Sequence, residues 1–292
     1  MEYRLLGRSG LKVSVITMGT MTFGRAMEGV LGSVDTPEAK RQIDQCLDAG
    51  VNLIDTADVY ARGASEEIVG EALGKKRPDV LIATKIRFPM GSGPNDQGLS
   101  RHYIIAACER SLKRLKTNCI DLYLLHWPGN VPFRETLAGF ERLLRDGKIR
   151  YWGVSNFDAG EMDDVVRLAG GDKVATNQVL YNLGRRGPEY DLVPWCRAHR
   201  VPIMAYSPLD QGRLLKNRTI SEVSARHKAT AAQVALAWLL AQDQTIVIPK
   251  AGNEPHAREN ASARDLRLTD EDYAALNRAF PPPGKKKPLE MI

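Results

Sequence analysis

The chain has 292 residues, 43% hydrophobic and 26% charged, which is the composition of an ordinary soluble globular protein. No apolar run approaches the roughly 18–20 residues that a membrane span needs, so we expect no membrane partner and a cytoplasmic location. The formal net charge of +6 arises from 41 basic residues interleaved with 35 acidic ones, which favours a mixed solvated surface over a nucleic-acid site. Four scattered cysteines without a Cys-x-x-Cys pair indicate neither a zinc site nor a disulfide framework.

The predicted elements begin with a β-hairpin, in which residues 3–6 and 11–14 flank the turn Gly7-Arg8-Ser9-Gly10. Buried strands then alternate with helices along the chain. The strands are predicted at 15–18, 51–54, 80–84, 120–125, 149–154, 174–176, 202–205 and 245–248. The helices are predicted at about 36–49, 65–73, 100–115, 133–145, 158–168, 188–199, 219–227, 230–241 and 269–279.

Repeated β-α units in this number, with no composition break, predict one domain of the α/β class over residues 1–280, a closed (β/α)8 TIM barrel with the hairpin at its N-terminus. A doubly wound sheet is the alternative, but the Gly-x-Gly-x-x-Gly fingerprint of that fold does not follow the first strand. Residues 281–292 begin with three prolines and continue into three lysines, which is typical of a mobile tail.

Ionisable side chains follow three of the predicted strands at their carboxyl ends. Asp55 ends the strand at 51–54, and Tyr60 lies in the next loop. Lys85 and His126 end the strands at 80–84 and 120–125. Because barrels keep their sites at this end of the strands, we expect the four side chains to form one site.

Such a set has the parts of a proton donor for a carbonyl group. A phenol has a pKa near ~10, and a nearby ammonium lowers it. A carboxylate would hold the ammonium in place, and a histidine could orient the carbonyl oxygen. Because no side chain supplies hydride, this chemistry implies a nicotinamide cofactor.

Other interpretations of the same residues stay open at this point. A single strand-end lysine or aspartate is more often part of a structural ion pair, and His126 could be a core histidine. The spacing also allows a Schiff base at Lys85, as in a barrel aldolase.

A series of short motifs narrows the choice. They are Gly19-Thr20-Met21, Asp55-Thr56-Ala57 with Tyr60, Gly63-Ala64-Ser65-Glu66, Thr84-Lys85, Asp121-Leu122-Tyr123-Leu124-Leu125-His126-Trp127-Pro128, Gly153-Val154-Ser155-Asn156-Phe157, Asn177-Gln178, Tyr206-Ser207-Pro208-Leu209 and Ile248-Pro249-Lys250. In this order, from about residue 3 to about residue 280, they resemble the aldo-keto reductases. The resemblance implies a (β/α)8 barrel that reduces aldehydes and ketones with NADPH and without a metal.

The resemblance also implies roles for individual positions. Tyr60 matches the proton donor, Lys85 the residue that lowers its pKa, Asp55 the partner of that lysine, and His126 the group that orients the carbonyl. For NADP(H), the resemblance assigns the nicotinamide end to Gly19, Thr20 and Met21 at the first strand's exit, to Asp55, to Ser155, Asn156 and Gln178 at the carboxamide, and to Tyr206, which stacks on the nicotinamide. The pyrophosphate matches Ser207, Leu209 and Gly212. Lys250 matches the position at the 2′-phosphate, and Glu259 and Asn260 match those at adenine.

One position departs from the family pattern. The family often has an arginine six residues after the lysine, and here that position is His256, with Arg258 nearby. The sequence therefore favours NADPH without fixing how strongly it is preferred over NADH.

Phe23, Phe88 and Trp127 are candidates for an apolar substrate pocket. A regulatory NADP(H)-binding subunit with little turnover, similar to potassium-channel β subunits, is the second hypothesis; the native substrate and oligomeric state are not predicted.

Overall fold

A computed structural model describes residues 1–24, 34–250 and 254–292, the side chains of Glu254 and Ala257 excepted. Its architecture is the predicted (β/α)8 barrel, which is confirmed. Among the helices of the described segments, none is both long enough and apolar enough to cross a membrane.

The predicted N-terminal hairpin is present and closes one end of the barrel. Strand β1 (Tyr3–Leu5) pairs antiparallel with β2 (Lys12–Ser14). Leu6 and Val13 are fully buried and pack against the inward-facing apolar side chains of the barrel strands. Because the cofactor and substrate motifs follow the opposite ends of those strands, the hairpin leaves the candidate site open.

Eight parallel strands form the barrel wall, each hydrogen-bonded to the next in chain order. They are β3 (Met18–Gly19), β4 (Leu53–Asp55), β5 (Leu81–Ile86), β6 (Ile120–Leu125), β7 (Ile149–Ser155), β8 (Asn177–Leu180), β9 (Ile203–Tyr206) and β10 (Thr245–Ile248). The last strand returns to the first: the Thr17 amide donates to the carbonyl of Val247 at 2.8 Å, and the Val247 amide donates to that of Val15 at 2.9 Å. These bonds close the barrel.

Ten helices cover the wall in the described part of the chain. They are α1 (Thr36–Asp48), α2 (Ala64–Leu73), α3 (Arg101–Arg114), α4 (Phe133–Arg145), α5 (Ala159–Val166), α6 (Leu192–His199), α7 (Arg218–His227), α8 (Ala231–Leu240), α9 (Glu254–Ser262) and α10 (Asp270–Ala279). Side-chain caps fix several of their starts; in α5, Asp158 and Glu161 form a reciprocal capping box. The helices bury their apolar faces against strands that are themselves buried on both faces.

The main differences between prediction and structure are three shifted elements and one helix that was missed. The strand expected at 174–176 lies at 177–180, and the first barrel strand is shorter and later than 15–18, with Ile16 only in a bridge to Val247. The helix expected from 188 starts at Leu192, because a separate 3-10 turn holds 187–189. Helix α9 was not predicted. The domain boundary at 280 stays a prediction; within residues 281–292, Lys286 pairs with Asp191 at 2.9 Å.

Candidate active site

A cavity of about 420 Å³ opens at the carboxyl ends of the barrel strands. Its lining includes most of the residues that the sequence nominated: Gly19, Thr20, Met21, Asp55, Tyr60, His126, Ser155, Asn156, Gln178, Tyr206, Ser207 and Lys250. The structure thus brings together residues from the carboxyl ends of seven of the eight barrel strands and from the loops that follow them. Phe88 and Trp127 also line the cavity, as expected, whereas Phe23 does not: it is 1% exposed and packs in the core beneath.

Lys85 lies under the cavity floor and joins Asp55 to Tyr60. Its side chain is completely buried on β5. Its Nζ donates to Oδ1 of Asp55 at 2.6 Å and to the carbonyl of Thr56 at 2.8 Å, and it lies 3.2 Å from the Tyr60 hydroxyl. Three acceptors around one ammonium match its three donors, so the buried charge is both paired and fully hydrogen-bonded.

Burial and the neighbouring charges together determine the protonation states of Lys85 and Tyr60. Burial by itself would lower the pKa of Lys85, but the Asp55 charge and the hydrogen bonds raise it above its ordinary value. Burial raises the pKa of Tyr60, and the Lys85 charge lowers it by less than burial raises it. The lysine therefore acts in the predicted direction, but the net pKa of Tyr60 is raised, because burial of the phenol outweighs the nearby ammonium. At neutral pH, Lys85 is charged and Tyr60 carries its proton.

His126 follows β6 and presents a neutral ring to the cavity. Burial, followed by the charges of Lys85 and Arg87, lowers its pKa well below the usual value. The rings of Tyr60 and Phe88 contact it edge-on, with centroids 5.8 and 5.1 Å away. Its Nδ1 is buried and has no hydrogen-bond partner among the residues the structure describes. In the Nε2–H tautomer, the neutral ring can donate a hydrogen bond to a carbonyl oxygen.

A cluster of polar side chains lies beside Asp55, Tyr60, Lys85 and His126. Asn156, at φ 62°, donates from Nδ2 to the carbonyl of His126 at 3.1 Å and accepts at Oδ1 from the Tyr206 hydroxyl at 3.0 Å. The Ser155 hydroxyl donates to the backbone carbonyl of Gln178 at 2.8 Å. The Gln178 side chain in turn donates to Asp55 at 2.8 Å. The amide cluster and the Lys85 group are therefore one hydrogen-bonded network.

A second cavity of about 260 Å³ lies further from the barrel axis. Its lining includes Leu209, Lys250, His256, Glu259 and Asn260. Lys250 lines both cavities, so the two lie side by side across the barrel mouth.

The loop after β9 runs along this route in an unusual backbone conformation. Ser207, Asp210 and Gln211 have positive φ angles although none is glycine, and Gly212 has φ 87°. A Cβ on Gly212 would meet no atom of the described residues within 4 Å, which suits the approach of a ligand to the backbone there. Gly212 itself does not line either cavity.

Sequence analysis did not assign two residues that lie at or beside this site. Asp58 is fully buried, and neither of its carboxylate oxygens has a partner in the described part of the chain. Burial, with a contribution from the Glu66 charge, raises its pKa to about 8. Ile292, in the segment predicted to be a mobile tail, lines the larger cavity. A second carboxylate three residues after Asp55 was the only available hint for Asp58.

Known proteins resemble this chain over most of its length. Residues 15–280 match the model of the Aldo/keto reductase family. The chain is 45% identical over 251 residues to the methylglyoxal reductase YeaE of Escherichia coli (strain K12), covering 84% of this chain and 86% of that one. It is 33% identical over 311 residues to a probable voltage-gated potassium channel subunit beta of Arabidopsis thaliana, covering 91% and 92%. A crystal structure of an aldo-keto reductase from Klebsiella pneumoniae in complex with NADPH matches the fold with a TM-score of 0.90, at 38% identity and 100% coverage of both chains.

Proposed function

Because the chain belongs to the aldo/keto reductase family, we propose that it reduces small aldehydes and ketones to alcohols with NADPH as the hydride donor. One observation carries the proposal: the ammonium of Lys85 contacts both Asp55 and the hydroxyl of Tyr60 at the edge of a mostly apolar cavity. This contact supports a role for Tyr60 as proton donor and for Lys85 as the group that stabilises its conjugate base, at a cavity that a carbonyl compound can enter.

The residues present fit NADP(H). Two neighbouring cavities that share Lys250 suit a long ligand, and the open space at Gly212 suits a phosphate group against the backbone. We propose that the nicotinamide end is held by Gly19, Thr20, Met21, Asp55, Ser155, Asn156, Gln178 and Tyr206, the pyrophosphate by Ser207, Leu209 and Gly212, and the adenosine end by Lys250, Glu259 and Asn260. When bound, the cofactor supplies hydride to the carbonyl carbon.

The side chains of the site transfer the proton to the carbonyl oxygen. The Tyr60 hydroxyl donates it to the carbonyl oxygen as negative charge develops there, and the Lys85 ammonium stabilises the phenolate that remains. Asp55 keeps Lys85 charged and in place. The Nε2 proton of His126 donates a hydrogen bond to the same carbonyl oxygen, which orients the carbonyl toward Tyr60.

The raised pKa of Lys85 argues against the aldolase alternative. A Schiff-base lysine must lose its proton to become a nucleophile. Here the ammonium donates three hydrogen bonds, and the charge of Asp55 favours its protonated form. The same residue is therefore better suited to electrostatic stabilisation than to attack on a carbonyl carbon.

The cavity lining points to small, uncharged substrates. Phe88, Trp127 and Val59 give it apolar walls. The nearby Arg87 guanidinium lies 5.3 Å from the Phe88 ring centroid and 5.9 Å from that of Trp127, and its Nε donates to the carbonyl of Pro128. The Arg87 guanidinium therefore packs against the aromatic side chains of the cavity wall. We propose methylglyoxal and similar small aldehydes as substrates, which the Escherichia coli relative supports.

A second function has its own support. The similarity to a potassium channel β subunit favours a regulatory NADP(H)-binding role with little turnover. Both functions use the same cofactor, so only turnover separates them. Location in the cytoplasm also stays a proposal, to be tested by fractionating the native source.

The deciding experiment follows NADPH oxidation by absorbance with methylglyoxal, a nitrobenzaldehyde and a simple sugar. The wild-type protein is compared with Tyr60→Phe, which keeps the ring but removes the proton. We expect turnover of the small aldehydes, and a loss of roughly 10²–10⁴-fold in the variant while NADPH binding persists. Binding without turnover on any substrate would favour the regulatory role, and equal turnover by the variant would remove Tyr60 as the donor.

A further inference from the structure

Residues 286–292, which we call the strap, follow the connection between β8 and α6 toward the barrel mouth. Lys286 pairs with Asp191 at 2.9 Å, and Glu290 pairs with Arg185 at 2.5 Å. Asp191 and Arg185 both belong to that connection. Two ion pairs therefore attach the strap to the same surface segment.

The strap reaches the candidate site at Ile292. This residue lines the larger cavity together with the residues that we assign to the nicotinamide end. Burial raises the pKa of Tyr206, assigned to stack on the nicotinamide, to about 12, and the neighbouring backbone of Ile292 partly offsets that effect. Leu289 packs against the hydrophobic core, so the strap is held by an apolar contact as well as by charges.

Arg185 joins the strap to the loop after β9. Its Nη1 donates to Glu290, and its Nε donates to Oδ1 of Asp210 at 3.5 Å. Asp210 lies in the loop that we assign to the pyrophosphate. A turn fixes the arginine, because its amide donates to the carbonyl of Asn182 at 2.9 Å, and the Asn182 side chain donates to the carbonyl of Ser207 at 2.9 Å. The guanidinium therefore bridges the strap and the pyrophosphate loop.

We propose that the strap closes over the nicotinamide end of the cavity, and that Arg185 is the positioning residue that holds it closed by bridging Glu290 to Asp210. The proposal rests on the proposed function, because it takes the ligand to be NADP(H). The strap then retains the nicotinamide, and the cofactor leaves when the pair of Arg185 and Glu290 opens.

The two arms of the bridge differ in their exposure to solvent. The side chains of Arg185 and Glu290 are 29% and 44% exposed, whereas that of Asp210 is 10% exposed. Exposed ion pairs contribute little stability, and salt weakens them. The Glu290 arm is therefore the one that opens, while the Asp210 arm keeps Arg185 in place. A weakly held arm suits a segment that must open in every turnover.

Two variants and two ligands separate the arms. Glu290→Gln keeps the shape of the strap residue and removes only its charge, whereas Arg185→Gln removes the cation from both arms. The ligands are NADP⁺ and 2′-phospho-ADP-ribose, which is the same molecule without the nicotinamide. Because the strap covers only the nicotinamide end, Glu290→Gln should speed the release of NADP⁺ alone. Arg185→Gln also frees the loop and should speed the release of both ligands.

The rates are measured by stopped flow. Each protein is loaded with one ligand and mixed with excess NADPH, whose arrival is followed by energy transfer from Trp127 in the cavity wall. We expect NADP⁺ to leave Glu290→Gln roughly twofold to fivefold faster than the wild type. At about 1 M salt that ratio should approach 1, because salt screens the ion pair in the wild type. A merely structural change would not depend on salt in this way.

Glu222→Gln is the matched control. Glu222 also pairs with an arginine, Arg218, at 2.7 Å, and its side chain is 52% exposed, but it lines neither cavity. This variant should release both ligands at wild-type rates. All three substitutions lie at solvent-exposed side chains, and thermal melting verifies that each variant is folded.

Three outcomes overturn the inference. Release of NADP⁺ from Glu290→Gln at the wild-type rate would show that the ion pair does not hold the strap. Equal acceleration of both ligands in Glu290→Gln would show that the strap does not act at the nicotinamide end. Unchanged release of 2′-phospho-ADP-ribose from Arg185→Gln would show that Arg185 does not bridge to the loop. Failure of the wild-type protein itself to bind NADP⁺ is a separate result, which overturns the proposed function and the inference with it.

Discussion

The two ends of the candidate cofactor site are built differently. At the catalytic end, Asp55, Lys85 and Gln178 lie on barrel strands and are buried, and both Lys85 and Gln178 donate hydrogen bonds to Asp55. At the adenosine end, Lys250 and His256 are exposed, and the groups come from a loop, a strand terminus and helix α9. A rigid network suits chemistry that must be placed within a fraction of an ångström, whereas exposed cations suffice to attract phosphate. Substitutions should therefore affect folding and rate together at the first end, and cofactor affinity alone at the second.

The largest effect is expected for Lys85→Met. Removing the ammonium leaves the carboxylate of Asp55 buried without its cation, so we expect the free energy of unfolding to fall by about 3–5 kcal/mol. Turnover should fall by roughly 10²–10⁴-fold, because the phenolate of Tyr60 loses its stabilising charge. Chemical denaturation and NADPH oxidation measure the two effects.

Adding Asp55→Asn to that variant separates the two effects. The neutral amide should recover part of the lost stability without restoring turnover, since the unpaired charge is gone but the ammonium is still missing. If the double variant were no more stable than Lys85→Met, the stability of this end would not depend on the Lys85–Asp55 charge pair.

Asp58 breaks the pattern of the catalytic end, because its carboxylate is buried there and neither oxygen has a hydrogen-bond partner among the described residues. The charges of Arg114 and Arg110 only partly offset the effect of burial on its pKa. Its folded pKa of about 8 lies above an unfolded value of about 3.9. The folded protein therefore holds this proton more tightly, so the free energy of unfolding falls as pH rises from about 4 to about 8 and is constant above that.

Asp58→Asn cannot titrate and should lack that fall. Denaturation across this pH range should show the variant gaining about 2–5 kcal/mol on the wild type between acid and alkali. Parallel profiles for the two proteins would mean that Asp58 stays ionised, or that it is hydrogen-bonded by water, in the folded state.

The same contrast explains how much could be predicted from the sequence. Asp55, Lys85 and His126 each end an apolar run, so the catalytic end was visible as a pattern. Strand β8 was misplaced because it starts with two buried amides, Asn177 and Gln178, which interrupt the apolar signal. Those amides are satisfied only by tertiary contacts, such as the 2.7 Å bond from the Asn177 side chain to the carbonyl of Phe157.

The adenosine end was harder to predict for a different reason. Helix α9 has alanines as its only apolar residues, so hydrophobic periodicity does not reveal it, although Pro255 in its first turn is typical of a helix start. Asp58 was missed because a lone carboxylate in a loop looks solvated until its burial is known. Helix α9 and Asp58 were both missed because the burial of a residue depends on how distant segments of the chain pack together.

Lys250→Met tests the second half of the comparison. We expect the Kd for NADPH to rise about tenfold, with the Kd for NADH changed less than about twofold, because the lysine would face the phosphate that only NADPH carries. Thermal stability should be unchanged, since the side chain is exposed. A drop in stability comparable to that of Lys85→Met would contradict the distinction between the two ends. Fluorescence titration and thermal melting provide both measurements.

The smallest expected effect concerns His256, which lines the second cavity beside Lys250. His256→Arg introduces a permanent charge with two parallel donors, a better match for a phosphate than an imidazole. We expect the ratio of kcat/KM for NADPH over that for NADH to rise roughly threefold to tenfold, mostly through KM. His256→Gln, which keeps a polar side chain without the charge, is the matched control and should not raise the ratio. An unchanged ratio in His256→Arg would mean that position 256 does not face the 2′-phosphate, and that Lys250 alone supplies the discrimination at this end.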